Sequence, residues 1–156
     1  MFILVCVQEE KSGVMVKLTN KNFVNLKSKL NEPEVQRLLL LSENRLVTPA
    51  AAARVIERCK NEENNVFGVI HNKLILAVVE YFIKEGNTLY VVNLAVSEKY
   101  RRKGIGRSVI TALREKHKLP IELETGDGAV GFYKKCGFNA VPFEKHGVRR
   151  WKVSNK

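Results

Sequence analysis

Residues 93–110, NLAVSEKYRRKGIGRSVI, decide how the rest of the sequence is interpreted. A run of β-forming residues ends here in a short basic loop, and Gly104 and Gly106 begin a helical pattern. A helix N-terminus carries unpaired N–H groups and a partial positive charge, and glycine lets a ligand approach the backbone. Four basic side chains add full charges: Arg101, Arg102, Lys103 and Arg107. The stretch therefore predicts an anion site in which backbone amides hold a diphosphate.

Two other phosphate-binding loops do not fit this stretch. A dinucleotide-binding fingerprint would need glycine at Val109, and a P-loop would need Gly-Lys-Ser/Thr after four intervening residues. Neither pattern is present. The residues alone also permit a second interpretation, in which the two glycines only allow a tight strand-to-helix turn and the arginines are solvated.

The sequence before this stretch predicts a mostly helical first third followed by an antiparallel sheet. The pattern indicates a strand at 14–19 and helices at 20–30, 33–41 and 49–60. The first of these helices would begin after the cap Thr19-Asn20. Three β-rich runs follow, VFGVI, LILAVVEYFI and TLYVVNLAV, separated by turn sequences typical of hairpins. The last two runs are apolar on both alternating faces, so helices should cover both sides of the sheet.

The sequence after this stretch predicts two more helices and three more strands. The helix at 104–118 ends before Pro120, and the strand IELET follows. This succession of elements implies that IELET lies parallel to TLYVVNLAV. A helix at 128–136 would have Asp127 as its N-cap and end at Gly137. The runs FNAVPF and VRRWKV would then close the chain as a hairpin.

Composition predicts one globular domain over residues 1–156. The 27 basic and 16 acidic residues give +11, which suits a polyanionic partner or a phosphorylated cofactor, or serves only for solubility. The three cysteines form no CxxC and the three histidines show no metal-ligand spacing, so neither a disulfide framework nor a metal site is expected. A reducing, cytoplasmic location follows. The apolar opening MFILVCV is too short for a membrane span and lacks the basic region of a signal peptide.

Two motifs in register resemble the GNAT superfamily of acetyl-CoA-dependent N-acyltransferases. The acetyl-CoA signature of that family, Arg/Gln-x-x-Gly-x-Gly/Ala after a strand ending in an LAV-like run, matches RRKGIG at 101–106. A second hallmark of the family matches FYKKCGF at 132–138, at the expected separation. The resemblance covers about residues 14–156 and is strongest over 89–138. Residues 1–13 lie outside it and are interpreted as an additional N-terminal segment.

The resemblance implies an α/β fold whose central sheet is mixed and mostly antiparallel. Six to seven strands with helices on both faces are expected, and a parallel strand pair that splays apart to admit the pantetheine of acetyl-CoA. The backbone of Leu94, Ala95 and Val96 would pair with that pantetheine. The turn and the start of the following helix would cradle the pyrophosphate, through Arg101, Arg102, Lys103, Gly104, Ile105, Gly106, Arg107 and Ser108. No metal is implied.

The resemblance also implies that Tyr133 gives a proton to the departing CoA thiolate. Gly128 and Gly131 lie in the same helix, and each costs about 1 kcal/mol of helix stability relative to alanine. Glycines at such a cost indicate that another group approaches this helix closely. Many family members have an asparagine at the position of Gly126, so that cofactor contact is not expected here. The general base stays open between Glu122, which matches a family glutamate if one loop residue is deleted, and Glu80, a lone acid among apolar neighbours. For both, a salt-bridged structural role is the competing interpretation.

Three functions fit these observations. The first is direct transfer of an acetyl group from acetyl-CoA to a primary amine in a ternary complex, with a small molecule or a peptide as acceptor and a homodimer as a candidate assembly. The second is a catalytically silent acyl-CoA-binding regulatory module, which Tyr133 disfavours. The third is a basic RNA- or ribosome-associated protein, which is disfavoured because no RNP-type aromatic pattern or helix-turn-helix signal is present. A membrane association is not expected.

Overall fold

The computed structural model describes residues 3–6, 15–43 and 45–156. Four α-helices lie in this part of the chain: α1 (Pro33–Ser42), α2 (Pro49–Lys60), α3 (Ile105–His117) and α4 (Asp127–Lys135). The strands are β1 (Ile3–Cys6), β2 (Met15–Leu18), β3 (Phe23–Asn25), β4 (Asn65–His71), β5 (Leu74–Lys84), β6 (Thr88–Val96), β7 (Ile121–Thr125), β8 (Asn139–Lys145) and β9 (Val148–Ser154). None of the helices in these residues is long and apolar enough to cross a membrane.

The strands form two sheets. Strands β1 and β2 make an antiparallel pair of their own, in which Ile3 lies opposite Leu18. The other seven strands form one sheet in the order β3-β4-β5-β6-β7-β9-β8. Its neighbours are antiparallel except for β6 and β7, which are parallel. The expected mixed, mostly antiparallel α/β fold is confirmed, including the closing hairpin and the parallel placement of IELET.

The parallel pair β6–β7 is in register only at its beginning. Leu89 lies opposite Ile121 and Tyr90 opposite Glu122, and no further residues of the two strands pair. On the other side of β6, the register with β5 shifts between Glu80 and Tyr81, as a β-bulge does. A bulge bends a strand and increases its twist. The two strands therefore diverge beyond Tyr90, which confirms the expected splay.

Two apolar cores lie on opposite faces of the seven-stranded sheet. On one face, Val109 and Leu113 of α3 and Tyr133 of α4 pack against alternate residues of β5, β6, β7 and β9. On the other face, α1 and α2 bury Leu38, Val55 and their neighbours against β4, β5 and β6. Helices thus cover both sides of β5 and β6, as the apolar pattern of those strands predicted.

Beyond β6, the described residues cover only one face of the sheet. Helix α4 packs against β8 and β9, where Val153 and Ala140 face the core. On the opposite face the extensive contacts of α1 are with β5 and β6. The side chains that β8 and β9 present there include Val141 and Val148, which are 63% and 59% exposed. The splayed half of the sheet therefore has an open face on the α1/α2 side.

The predicted helix at 20–30 is wrong. Thr19 does cap a helical turn, because its hydroxyl accepts a hydrogen bond from the backbone N–H of Lys21 at 3.2 Å, but the turn ends at Asn22. The chain then enters β3, where Phe23 pairs opposite Val69 of β4. Pairing with the edge of the sheet outweighs the weak helical periodicity, and Phe23 and Val24 are residue types that favour strands.

Candidate active site

The basic turn begins where β6 ends and leads directly into α3. Gly104 occupies the N-cap of α3 with a φ of 83°, and Arg102 also has a positive φ, 61°. Glycine adopts this left-handed conformation without steric cost. No side chain of the described residues caps the helix, so within this part of the chain the first N–H groups of α3 have no side-chain acceptor. The helix start is therefore available to an anion, as predicted.

Several polar contacts fix this turn in place. Arg101 donates from Nε to the Val96 carbonyl at 3.2 Å, which ties the loop back to β6. Arg107 donates from Nη2 to the Lys135 carbonyl at 2.6 Å and so joins α3 to the end of α4. The Ser108 hydroxyl donates to the Gly104 carbonyl at 2.8 Å. The Ser108 hydroxyl is therefore hydrogen-bonded to the N-cap residue of its own helix.

A cleft of about 810 Å³ opens beside the turn. It is formed by the end of β6, the start of α3, one face of α4 and the end of α1. Ten of the residues predicted from sequence line it: Leu94, Ala95, Val96, Arg101, Arg102, Gly104, Ile105, Gly106, Arg107 and Tyr133. Lys103 and Ser108 were predicted with them but are not part of the lining. The structure therefore brings nine of the eleven predicted cofactor residues and the predicted proton donor into one cleft.

The cleft also contains residues that sequence reasoning did not assign to it. They are Leu41, Ser42, Tyr100, Gly128, Ala129, Phe132, Lys135 and Cys136. Phe132 and Cys136 lie one position before and three positions after Tyr133, so the helical period of FYKKCGF could have placed them on the same side. No signal in the sequence indicated that the end of α1 would reach this cleft.

One edge of β6 is unpaired along the cleft. Leu94 and Ala95 pair with Val79 and Val78 of β5 on one side. On the other side β7 has already diverged, since the last paired residues are Tyr90 and Glu122. Alternate N–H and C=O groups of a strand point to each side, so those on the β7 side lack a strand partner. An extended ligand could hydrogen-bond there as an additional strand.

Tyr133 is buried at the cleft with a free hydroxyl. It is 6% exposed, and its ring packs edge-on against Phe132 and Phe138. Burial raises the pKa of its phenol above the ordinary value. Among the described residues, its hydroxyl makes no hydrogen bond to a protein atom. A neutral phenol with an uncommitted proton is what a proton donor in this cleft requires.

Glu80 is held in an ion pair and does not line the cleft. Its fully buried carboxylate accepts from Arg58 Nε and Nη2 at 2.8 and 2.7 Å. Asn93 donates to the same carboxylate from Nδ2 at 2.8 Å. Arg58 also pairs with Glu43 at 2.8 Å. The competing interpretation, a salt-bridged structural role, describes these contacts.

Glu122 is likewise committed to lysines. Lys156 and Lys84 lie 2.6 and 3.3 Å from its carboxylate oxygens. The hydrogen bond from Lys156 in particular lowers the pKa of Glu122, which makes it a weaker base. It lies on the open face of the sheet rather than in the cleft. The geometry therefore brings neither of the two candidate bases to Tyr133.

Asp127 does not cap α4 as predicted. Gly126 occupies the N-cap with extended backbone, and Asp127 is the first residue of the helix. Its carboxylate instead accepts from Arg149 at 3.0 and 3.1 Å and from Trp151 Nε1 at 2.7 Å. These hydrogen bonds lower the pKa of Asp127. The attraction of two donors on β9 thus takes the carboxylate away from the helix end.

No protein atom lies within 4 Å of where a Cβ would stand on Gly128 or on Gly131. The close approach that these glycines predicted is therefore not made by the described chain. Gly128 borders the cleft, whereas Gly131 faces open space outside it. Within residues 3–6, 15–43 and 45–156, no cluster of three or more His, Cys, Asp or Glu could hold a metal ion.

A splayed parallel pair, an uncapped helix start and a buried tyrosine beside one cleft define an acetyltransferase of the GNAT type. The model of the acetyltransferase (GNAT) family matches residues 33–138. The chain belongs to this family. A search of the curated proteins finds no significantly similar sequence.

Solved structures with similar folds include several acetyltransferases. An acetyltransferase from Bacillus subtilis in complex with CoA shares 20% identity over 80% of this chain and 91% of its own, with a TM-score of 0.60. An aminoglycoside 6'-N-acetyltransferase complexed with coenzyme A shares 14% over 85% and 95%, with a TM-score of 0.70. The ribosomal-protein-S18-alanine N-acetyltransferase from Escherichia coli shares 16% over 85% and 90%, with a TM-score of 0.66. At these identities the likeness concerns the fold.

Proposed function

We propose that this protein transfers an acetyl group from acetyl-CoA directly to a primary amine. The observation that carries the proposal is the cleft itself, which joins an unpaired strand edge, an uncapped helix start and the Tyr133 hydroxyl. The strand edge would bind the pantetheine, the helix start would bind the pyrophosphate, and the hydroxyl would protonate the departing thiolate. Structural neighbours solved with CoA or acetyl-CoA bound support the choice of cofactor.

Acetyl-CoA would lie along the cleft with its pantetheine beside β6. The backbone of Leu94 to Val96 would pair with the pantetheine amides, and the first N–H groups of α3 would hold the pyrophosphate. Arg101, Arg102 and Arg107 line the same end of the cleft and supply positive charge. When bound, the cofactor supplies an activated thioester to the amine.

Tyr133 would act as the proton donor of the reaction. Its buried phenol stays neutral at physiological pH and can hydrogen-bond the thioester sulfur as negative charge develops there. Cys136 also borders the cleft, but it is buried and no histidine lies beside it in the sequence to form a thiolate. We therefore favour a ternary complex over an acyl-cysteine intermediate.

In this scheme neither candidate base would contact the amine directly. Glu80 and Glu122 remain the two candidates, and each would act on the amine only through intervening water, because both carboxylates are held in ion pairs outside the cleft. The alternative is that the amine enters as its neutral form. The pH dependence of turnover in a Glu122→Gln variant tests Glu122: a wild-type profile would exclude Glu122 and leave Glu80 or the neutral amine.

Several finer features stay predictions. The acceptor is a small amine or a peptide; the structural neighbours include enzymes named for aminoglycosides and for the alanine of ribosomal protein S18. A cytoplasmic location, a single domain over residues 1–156 and a homodimer are also part of the proposal. Of the N-terminal segment at 1–13, only Ile3–Cys6 lies within the described residues.

A screen of amines with acetyl-CoA, read as release of free thiol, tests the proposed function. Turnover with at least one amine, dependent on Tyr133, is the expected result. Binding of acetyl-CoA without turnover on any amine would instead favour the silent acyl-CoA-binding module.

A further inference from the structure

The open face of the splayed half-sheet carries an unusual arrangement of charge. Its acidic side chains are Glu122 and Glu124, which point to the α1/α2 side of β7. Lysines already occupy both: Lys84 and Lys156 pair with Glu122, and Lys145 pairs with Glu124 at 3.3 Å. Each carboxylate of this face is therefore already neutralised by at least one lysine.

Two cations on the same face have no carboxylate within salt-bridge distance among the described residues. Arg150 and Lys152 alternate along β9 with Trp151 and Val153, whose side chains face α4 and the core. Among the described residues, Arg150 makes no salt bridge or side-chain hydrogen bond, and Lys152 makes only a cation–π contact with Phe143 at 5.2 Å. Glu124 lies directly opposite Lys152 on β7 and already pairs with Lys145, so Arg150 is the charge that is most available to an anion.

Arg150 lies at the mouth of the splay between β6 and β7. Its Nη1 is 3.9 Å from where a Cβ on Gly126 would stand, and Gly126 is two residues from the cleft residue Gly128. Burial and the negative charge of Glu124 raise the pKa of Tyr90 on β6, and the positive charge of Arg150 opposes them. The guanidinium thus stands on the open face next to the point where the proposed pantetheine would meet its acceptor.

We propose that Arg150, with Lys152 beside it, binds an anionic group of the acceptor, so that this enzyme acetylates small amines that also carry a carboxylate or a phosphate. A guanidinium can hold either group with two parallel hydrogen bonds. Phe143 lies opposite Arg150 on β8 and its ring lies under Lys152, so it gives the rest of the acceptor an apolar surface. The positive charges of Arg150 and Lys152 would repel polycationic amines. This inference rests on the proposed N-acetyltransferase function.

The test compares acceptors that differ only in charge. The probes are L-amino acids with their amides, O-phosphoethanolamine with ethanolamine, and spermidine, each with saturating acetyl-CoA. We expect the anionic member of a pair to have the higher kcat/KM, and the carboxylate and phosphate pairs tell which anion is preferred. A preference for spermidine or for the neutral members would overturn the inference while leaving the N-acetyltransferase function intact.

Two variants on neighbouring residues of β9 locate the effect. Loss of a charged hydrogen-bond partner should raise KM for the anionic acceptor roughly 10-fold to 100-fold in Arg150→Gln, with little change for its neutral partner. Arg149→Gln is the matched control, since Arg149 points to the opposite face and its exposed pair with Asp127 contributes little. An equal loss for both members of a pair in Arg150→Gln would contradict the proposal.

A binding measurement separates failure of the inference from failure of the function. Calorimetric titration of the CoA complex with the same anionic amines should show binding that Arg150→Gln removes, whether or not acetyl transfer occurs. Unchanged binding in that variant would contradict the anion site. Absence of turnover with every amine would contradict only the proposed function.

Discussion

Gly106 of α3 faces the ring of Phe132 in α4 so closely that a Cβ on Gly106 would lie 3.0 Å from Cζ of that ring. The next ring atom, Cε2, would be 3.2 Å away. Both residues line the cleft. Glycine at this position therefore sets how closely the two helices approach across the proposed cofactor site.

We expect Gly106→Val to lose the stabilisation by acetyl-CoA. The branched side chain would displace Phe132 into the cleft and cover the first N–H groups of α3. In the wild-type protein, acetyl-CoA at about 100 times its Kd should contribute roughly 2.7 kcal/mol to the free energy of unfolding. A thermal shift assay with and without acetyl-CoA measures this contribution.

Gly131→Ala is the matched control for that experiment. Its new Cβ would meet no protein atom within 4 Å, and Gly131 does not line the cleft. The thermal shift by acetyl-CoA should therefore persist. If a folded Gly106→Val protein keeps the wild-type affinity for acetyl-CoA, the assignment of the acetyl-CoA site to this cleft is wrong.

The second prediction concerns the buried ion pair between Arg58 and Glu80. Arg58→Ala would leave a fully buried carboxylate without its cation, which typically costs about 3–5 kcal/mol. Arg54→Ala is the control, because Arg54 is exposed on the same helix. Unfolding by urea measures the free energy of unfolding of both variants. Equal free energies of unfolding for the two variants would show that the pair contributes little to stability.

The strand–turn–helix unit at 88–117 could be predicted from sequence because its signals are local. The apolar run, the basic turn and Gly104 at a positive φ each act within a few residues. The cofactor part of the candidate site follows from the same unit. The helix at 20–30 could not be predicted correctly, since its fate depends on pairing with β4, more than 40 residues away in the chain.

The acid–base part of the site could not be predicted for a similar reason. Glu80 was a lone acid among apolar residues, and nothing in the sequence indicated that Arg58 of α2 would reach it. Glu122 meets Lys84 and Lys156 only once β5 and the C-terminus lie beside β7. The open face of the sheet also depends on which strands α1 covers, which is a property of packing rather than of local pattern.

The third prediction concerns stability at high pH. Burial raises the pKa of Tyr81 to about 12, from about 10 in an unfolded chain. The native state therefore keeps a proton that the unfolded state releases, so this contribution to stability is complete below pH 10 and is lost as pH rises toward 12. Unfolding free energy should fall less steeply over that interval in Tyr81→Phe.

A matched control for Tyr81→Phe is Tyr100→Phe, because Tyr100 lies in the turn after β6 and is only partly buried. The slope of unfolding free energy against pH in Tyr100→Phe provides the comparison for the loss of a phenol outside the core. If wild type and Tyr81→Phe have the same slope of unfolding free energy against pH, the Tyr81 phenol has the same pKa in the native and the unfolded state. Tyr81 also hydrogen-bonds His117 at 2.8 Å, so the comparison uses slopes rather than absolute stabilities.

The fourth prediction is that a protein beginning at Met15 keeps its acetyltransferase activity. Within the described residues, β1 packs extensively only against β2, and the cleft is lined from Leu41 onward. Steady-state turnover and acetyl-CoA binding of the shortened protein should match those of the full chain. Loss of activity with folding intact would show that residues 1–13 belong to the acceptor site or to a functional dimer.

The fifth prediction tests Tyr133 as the proton donor. The hydroxyl should matter when charge develops on the sulfur, and much less in the ground-state complex. Tyr133→Phe should therefore lower kcat by roughly 100-fold to 10,000-fold while the Kd for acetyl-CoA stays nearly unchanged. The ring keeps its edge-on packing with Phe132 and Phe138, so the fold is preserved. Pre-steady-state measurements establish that chemistry limits the rate, and a wild-type kcat under that condition would mean that the proton comes from another group.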